Sequence, residues 1–187
     1  MTVNTSFRPA AEGDIAAIAA LMRYAFSDAL FELMHLRETG LTFEEILATM
    51  LRSGTGHASH SNAIVAASGG TVVGMIFSFP VKRYDYSRDG LAPLWLDAYS
   101  SFFNPVFGED GMYIIHSFAV DPEFQGRGIG KKLLSLAIDR ARGEGCTGMV
   151  VGTSESNPAS HAAYESAGFR VAGSECMTGM DILEFRF

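Results

Sequence analysis

Residues 121–132 read Asp-Pro-Glu-Phe-Gln-Gly-Arg-Gly-Ile-Gly-Lys-Lys and carry the densest chemical signal in the chain. Glycines at alternate positions, Gly126, Gly128 and Gly130, let a backbone turn tightly and approach a ligand closely. An apolar run over 112–120 precedes them, and an amphipathic run follows. At a strand-to-helix turn of this kind the first-turn N–H groups have no acceptor inside the helix. An anion, phosphate above all, satisfies them and the helix dipole together. Arg127, Lys131 and Lys132 sit where the dipole disfavours positive charge, a conflict that a bound polyanion removes. A tight turn with ordinary solvated basic residues fits the same letters. A second signal lies just upstream, over 81–111. There Tyr84, Tyr86, Trp95, Tyr99, Phe102, Phe103 and Phe107 are interleaved with Asp85, Asp89, Asp97, Glu109 and Asp110. Aromatic faces among carboxylates suit a cationic amine with an apolar body. An extension of the core, or a dimer face, accounts for them nearly as well.

The elements that must position these groups read as one α/β domain over residues 1–187 with a mixed sheet. The first strand ends near Ser6 to Ala10, and Asp14 opens a helical stripe of Ile15, Ile18, Met22, Ala25, Phe26, Ala29 and Leu33, with a break near Ser27 and Asp28. Thr42 and Glu45 form a capping box ahead of a second helix, stopped by Gly54 and Gly56. His57 and His60 follow in a Ser/Gly-rich stretch and read as solvated loop rather than as metal ligands. Strands over 63–67 and 71–79 flank Ser68-Gly69-Gly70, a hairpin signal. The stretch 81–111 has no clean periodicity beyond a candidate helix over 93–101, and connections of that length are usually lids or binding loops. After the strand 112–120 and its glycines, Ile129, Leu133, Leu136 and Ala137 recur at helical spacing. A strand over 146–153, a short helix opened by Asn157-Pro158 and closed at Gly168, and strands over 169–172 and 181–187 complete the chain.

Composition narrows the function. A net charge of −7 argues against a nucleic-acid partner and mildly for cationic substrates. Cys146 and Cys176 have no CxxC or zinc spacing, which predicts reduced thiols, a cytoplasmic setting and no metal. Neither a signal peptide nor an apolar run of membrane-spanning length is evident, so no membrane association is expected. Two familiar phosphate motifs fail. A P-loop needs glycine where Gln125 stands and Ser or Thr where Lys132 stands. A dinucleotide-binding turn needs its third glycine where Lys131 or Leu133 stands.

What remains resembles the GNAT superfamily of N-acetyltransferases. Its first signature, an apolar-Ala-Val-x-Pro string followed by Gln-x-x-Gly-x-Gly, matches Phe118-Ala119-Val120-Asp121-Pro122 and Gln125-Gly126-Arg127-Gly128-Ile129-Gly130. Its second, Asn then Tyr then Gly-Phe, matches Asn157, Tyr164 and Gly168-Phe169. The Phe7-Arg8-Pro9-Ala10 run before a helix also looks like the family. The resemblance covers the chain outside 81–111. It implies the GNAT fold, a mixed central sheet flanked by helices, with the aromatic-rich segment inserted between the third and fourth strands.

The resemblance further implies that acetyl-CoA is the acyl donor and CoA the product. The amides of Gln125 through Lys131 would hold its pyrophosphate, with Arg127 adding a charge-assisted contact and Asn157 near the cofactor. The pantetheine arm would pair with the strand at Phe118, Ala119 and Val120, and the Phe118 N–H would donate to the thioester oxygen. Tyr164 matches the family's general acid, which protonates the departing thiolate; on residue type alone it reads instead as a core aromatic on a helix with a satisfied hydroxyl. An alkyl ammonium, with a pKa of about 10.4, must lose a proton before it attacks. His116 is the candidate base, since a His at the corresponding place serves so in some arylalkylamine-acetylating members. A structural His fits the position as well. By alternation Ile114, His116, Phe118 and Val120 share one strand face in the absence of a bulge. Glu109 and Asp110 are alternative relays through water, and His161 reads as surface. Tyr84, Trp95, Tyr99, Glu109 and Asp110 are candidate acceptor-binding residues for a small cationic primary amine. Acetylation of protein N-termini or lysines, and a non-catalytic acyl-CoA-binding module, are the alternatives; substrate, base, acyl length and oligomeric state, a homodimer included, stay open.

Overall fold

A computed structural model of the chain describes residues 4–25, 42–52, 57, 59–83, 109–175 and 179–187. Seven strands form one sheet: β1 (Thr5–Pro9), β2 (Ala63–Ser68), β3 (Thr71–Pro80), β4 (Met112–Val120), β5 (Gly148–Ser154), β6 (Arg170–Glu175) and β7 (Met180–Arg186). Their order is β1-β2-β3-β4-β5-β7-β6. Only β4 and β5 run parallel, joined across the sheet by helix α3 (Ile129–Gly143); the other neighbours are antiparallel. This is the mixed sheet with flanking helices that the sequence predicts. The β2–β3 hairpin turns through Gly69 and Gly70, whose φ values of 58° and 86° are open to glycine at little steric cost. The candidate helix over 93–101, the second half of the first helical stripe, and the segment 84–108 with Tyr84, Trp95 and Tyr99 lie outside the described residues.

The sheet is covered on both faces, which is why β2 and most of β3 read as unbroken apolar runs rather than alternating ones. One layer is built by helices α1 (Ile15–Met22) and α2 (Phe43–Arg52). Ile15, Ile18, Met22, Leu47 and Leu51 pack there on Val65, Met75, Phe77, Phe79, Met112 and Ile114. The opposite layer is built by α3 and by α4 (Pro158–Ser166). Ile129, Leu133, Leu134, Ala137 and Tyr164 pack there on Ile76, Tyr113, Ile115, Met149 and Leu183. Each such aliphatic or aromatic side chain, taken from water to the interior, contributes about 1.5–3 kcal/mol before chain entropy is counted. Among the described residues, no helix is long and apolar enough to cross a membrane.

Local signals set the helix starts. The Thr42 hydroxyl accepts the Glu45 N–H, and the Glu45 carboxylate accepts the Thr42 N–H at 2.7 Å, closing the expected capping box. At α1 the Asp14 carboxylate accepts the Ala11 N–H at 2.8 Å and two guanidinium N–H groups of Arg8, which ties the end of β1 to the helix entry.

The sheet departs from the expected alternation at one place. Phe77 pairs with Ser117 and Ser78 pairs with Ile115, so His116 is an extra residue in β4. One inserted residue inverts the faces beyond it. Ile114 packs in the α1/α2 layer, whereas Phe118 and Val120 pack in the α3/α4 layer. The expectation of one shared face for Ile114, His116, Phe118 and Val120 is therefore overturned.

The Arg8–Asp14 pair makes acid stability testable. The Arg8 hydrogen bond, above all, holds the Asp14 carboxyl below its usual range, against the opposing effect of burial. A depressed folded-state pKa stabilises the protein above the unfolded carboxylate range, and that part is lost as pH falls through the folded value. Asp14→Asn should cost about 1–2 kcal/mol at pH 7. Urea midpoints of variant and wild type should converge as the pH is lowered through the folded-state value of Asp14.

Candidate active site

Beyond the bulge, β4 loses its neighbour. Its parallel ladder with β5 covers only Met112 to Ile115 against Gly148 to Val151, although β4 runs on to Val120 and β5 to Ser154. Among the described residues no strand lies beside 116–120 on that side. This leaves about 16 Å of strand edge, along which the main-chain groups of Phe118 and the Val120 N–H alternate away from β3 towards an extended ligand. The two strands thus bound a wedge that opens towards the C-terminal end of β4.

The glycine turn sits at that end. Gly126 and Gly128 have φ of 71° and 79°, and a Cβ at either would meet nothing within 4 Å, so this backbone faces open space. Gly128 is the N-cap of α3 and supplies no side-chain cap, which leaves the helix's first-turn amides to an outside acceptor. Gly130 serves a different end. A Cβ there would lie 3.1 Å from the Phe118 ring, so its absence lets α3 sit close on β4. Gly74, opposite Val120 on β3, makes room for Ile129 and Leu133 in the same way.

The side chains of the turn are engaged within it. Gln125 Nε2 donates to Val120 O at 3.0 Å and fastens the end of β4. Arg127 donates to Glu123 O at 2.8 Å and lies over the Phe124 ring, so its guanidinium is turned onto the short helical segment before the turn. Lys131 is exposed, whereas Ile129 is buried in the α3/α4 layer and presents only backbone to a ligand; Ala119 is buried in the α1/α2 layer with its main chain turned to Met75 on β3. Asn157 caps α4, with its Oδ1 accepting the Ser160 N–H at 3.0 Å.

Among the described residues, Tyr164 and His116 stand beside the wedge on opposite sides of the sheet. On the α3/α4 side, Tyr164 is buried between Phe118 and Phe169, with ring centroids 6.0 and 5.5 Å away. Burial raises its phenol well above the usual tyrosine value, only partly offset by a hydrogen bond from the Ser160 side chain. Tyr164 is therefore a protonated donor at neutral pH. On the α1/α2 side, His116 lies against Phe77 and Phe79, with centroids 5.6 and 6.1 Å away, and its Nδ1 is 2.8 Å from Ser117 Oγ. Part of its surface is open to solvent, but the aromatic packing dominates. Desolvation, then the nearby His57, lowers its pKa to about 3, so the ring is neutral.

The other sequence candidates among the described residues are not brought to this place. Glu109 and Asp110 are exposed at the N-terminal end of β4, where Glu109 pairs with Arg186 at 3.5 Å. Glu109 lies in the turn before β4, and from Met112 to His116 the strand rises roughly 13 Å, beyond the reach of a single bridging water. His57, expected in solvated loop, is 3% exposed, with its ring 5.6 Å from Phe79. His60 Nδ1 meets the Leu51 carbonyl at 3.1 Å, at the end of α2. His161, expected at the surface, is half-buried with Nε2 3.4 Å from an Asp181 carboxylate oxygen. Two residues escaped the sequence reading altogether: Thr153 and Ser160, whose hydroxyls are 2.8 Å apart. The i, i+4 spacing of Ser160 and Tyr164 on α4 was the available signal.

Comparison with known proteins bears on the family. The chain is 35% identical over 114 residues to the N-alpha-acetyltransferase RimI of Mycobacterium tuberculosis, a match over 61% of this chain and 55% of that protein. It is 48% identical over 56 residues to the L-amino acid N-acyltransferase MnaT of Escherichia coli, over 30% of this chain and 33% of that protein. The matches thus span from a third to just over half the length of these relatives. An N-acetyltransferase from Staphylococcus aureus Mu50 superposes with a TM-score of 0.74 over 97% of this chain and 100% of that one, at 17% identity, a likeness of fold. The family model described as the acetyltransferase (GNAT) family matches residues 27–169, and the chain belongs to that family.

Proposed function

We propose that the protein transfers an acetyl group from acetyl-CoA to a primary amine by direct attack of the amine. The observation that carries this reading is the wedge: among the described residues, β4 leaves β5 after Ile115 and runs on past Phe118 to an outward-facing glycine turn, with Tyr164 packed beside Phe118. The donor fits the residues present. Backbone without Cβ faces open space at Gly126 and Gly128, and the first-turn amides of α3 suit a pyrophosphate. Phe118 and Val120 offer main-chain groups for an extended arm, whereas those of Ala119 face Met75 on β3, and the residues from Gly126 to Lys131 contribute amides. Gln125, Arg127 and Asn157 act by shaping the turn and the α4 start. Acetyl-CoA, when bound, supplies an acyl thioester activated towards amines.

His116 and Tyr164 divide the proton work. A neutral imidazole whose conjugate acid has a pKa of about 3 holds the right form for a base. It is nonetheless too weak to deprotonate a free ammonium of about 10.4. The amine therefore reaches the wedge neutral, and His116 receives the proton that nitrogen sheds once its lone pair is committed to carbon and the N–H has become far more acidic. Tyr164, on the other side of the sheet, gives its proton to the departing sulfur. The acceptor is a small cationic amine, supported by the net charge of −7 and by the aromatic and acidic composition of 84–108, where Tyr84, Trp95 and Tyr99 stand. An α-amine at a protein N-terminus is the second reading, supported by the RimI match, which covers more of this chain than the MnaT match does.

An amine panel with acetyl-CoA, read by release of free thiol, tests both readings; turnover confined to anionic or amine-free acceptors sinks them. Tyr164→Phe should lower kcat on the order of a hundredfold with KM for the amine little changed. The pH dependence follows from His116. Because its folded-state pKa is lowered, the ring does not titrate between pH 5 and 8. The alkaline rise in kcat/KM should instead follow the pKa of the amine used. Two amines of different pKa should shift that limb; a limb fixed near 6.5 for both would remove the neutral-amine scheme.

A further inference from the structure

The step from buried to accessible falls at the same place on both strands of the wedge. In β4, Met112 to Ile115 are buried and His116 is the first residue with open surface; in β5, Gly148 to Val151 are buried and Gly152 is the first. Both follow directly on the last bonded pair, Ile115 with Val151. Where the strands part, one therefore carries a histidine and the other no side chain at all.

Alternation along β5 fixes the face that position 152 presents. Val150 packs in the α1/α2 layer, and Met149 and Val151 pack in the α3/α4 layer. Thr153 reaches the other way, its hydroxyl 2.8 Å from Ser160 on α4. Position 152 thus points to the α1/α2 side, and its partner on β7, Ile182, packs against that layer too. His116 is on the same side, with its ring against Phe77 and Phe79. Bonded neighbours lie about 4.8 Å apart, so just past the ladder a Cβ at position 152 would project into the mouth of the wedge beside His116. Backbone conformation does not account for the glycine. Gly152 pairs with β7 in a ladder that covers all seven residues of β5, and it is not one of the glycines with positive φ, so alanine can take the same backbone. At Gly148, by contrast, a Cβ would collide with the Phe185 carbonyl oxygen. A glycine inside a strand forgoes packing and costs chain entropy, and it often marks the close approach of a ligand.

We infer that Gly152 is a specificity-determining residue: it admits a substituent on the nitrogen-bearing carbon of the acceptor, so that the protein favours α-branched primary amines with an apolar branch. The inference rests on the acetyl-transfer reading, with the amine approaching from the His116 side. Once the nitrogen lies by His116, the carbon bonded to it is the first atom to meet β5, and position 152 opposes it with main chain alone. Among the described residues the side chains flanking that space are apolar, Phe77 beyond His116 and Ile182 beyond Gly152. An apolar branch fills such a space, whereas a charged one would lose water there without gaining a partner.

The test takes an unbranched amine turned over by the wild type and its homologue with a methyl on the nitrogen-bearing carbon, each enantiomer assayed separately with saturating acetyl-CoA. The wild type should favour one enantiomer of the branched homologue over the unbranched amine in kcat/KM. Gly152→Ala should reverse that preference, shifting the ratio on the order of tenfold to a hundredfold, because its Cβ takes the place of the methyl. Calorimetry should show CoA binding retained, and the variant should unfold at the same temperature or higher, since alanine fits the extended backbone. A wild type that prefers the unbranched amine overturns the inference whatever the variant does. So does an unchanged ratio in Gly152→Ala, or a change confined to discrimination between acetyl-CoA and propionyl-CoA, which would put the space on the donor's side. If the wild type acetylates no amine, the acetyl-transfer reading fails and the inference with it; turnover of amines with an unchanged ratio removes the inference alone.

Discussion

In an unbroken sheet the inner edge of β4 would be tied to β5 along its whole length, and its amides would be occupied. Here the ladder ends at Ile115 and Val151, one residue before the bulge at His116. The two facts belong together. A bulge adds local twist and bends its strand, and a bent β4 cannot stay in parallel register with β5, which is held straight by β7 on its other side through all seven of its residues. The parted strands create an edge that a ligand can complete, and the inserted residue inverts the side chains beyond it. Phe118 therefore faces Tyr164, whereas His116 faces Phe77 and Phe79. One extra residue accordingly supplies both an opening in the sheet and a different titratable group on each of its faces.

An open edge in a core strand is a liability unless the rest of the sheet is held firmly. Gly74 and Gly130 do part of this by letting α3 approach β3 and β4 at contact distance, with Ile129 and Leu133 over the glycine and the Phe118 ring against the helix. Close packing of this kind makes small volume changes costly, which keeps the helix N-terminus in line with the wedge. Gln125 adds a polar clamp on Val120 O. The turn residues that look most like ligands by type are thus partly scaffold, and the anion-binding capacity resides in main-chain amides that the glycines leave uncovered.

How much of this the sequence disclosed follows from how local each cause is. The capping box at Thr42 and Glu45, the Gly69-Gly70 hairpin, the Asn157 cap and the glycine turn all arise from neighbours within a few residues, and each was legible. The bulge was not, because it depends on the register against β3 and leaves no mark in a pattern of period two. Neither was the burial of His57, whose Ser/Gly-rich surroundings look like solvated loop and whose partner Phe79 is a strand away. The Thr153–Ser160 contact joins a strand end to a helix start; only its helical half, the four-residue step from Ser160 to Tyr164, was written locally.

Desolvation acts on both sides of the wedge, and its two effects are complementary. It disfavours charge wherever it acts, so it holds the histidine neutral and the tyrosine protonated over the same pH range. Both groups are thereby kept in the form that the proposed proton transfers, from nitrogen and to sulfur, would use. The same desolvation makes each group weak, since a buried imidazolium and a buried phenolate are both poorly stabilised. Proton transfer at either ring must therefore be coupled to the change at carbon: nitrogen becomes acidic only once its lone pair is committed, and sulfur becomes basic only as its bond to carbon breaks. Burial selects the resting protonation states, and the reacting centre has to supply the drive to leave them.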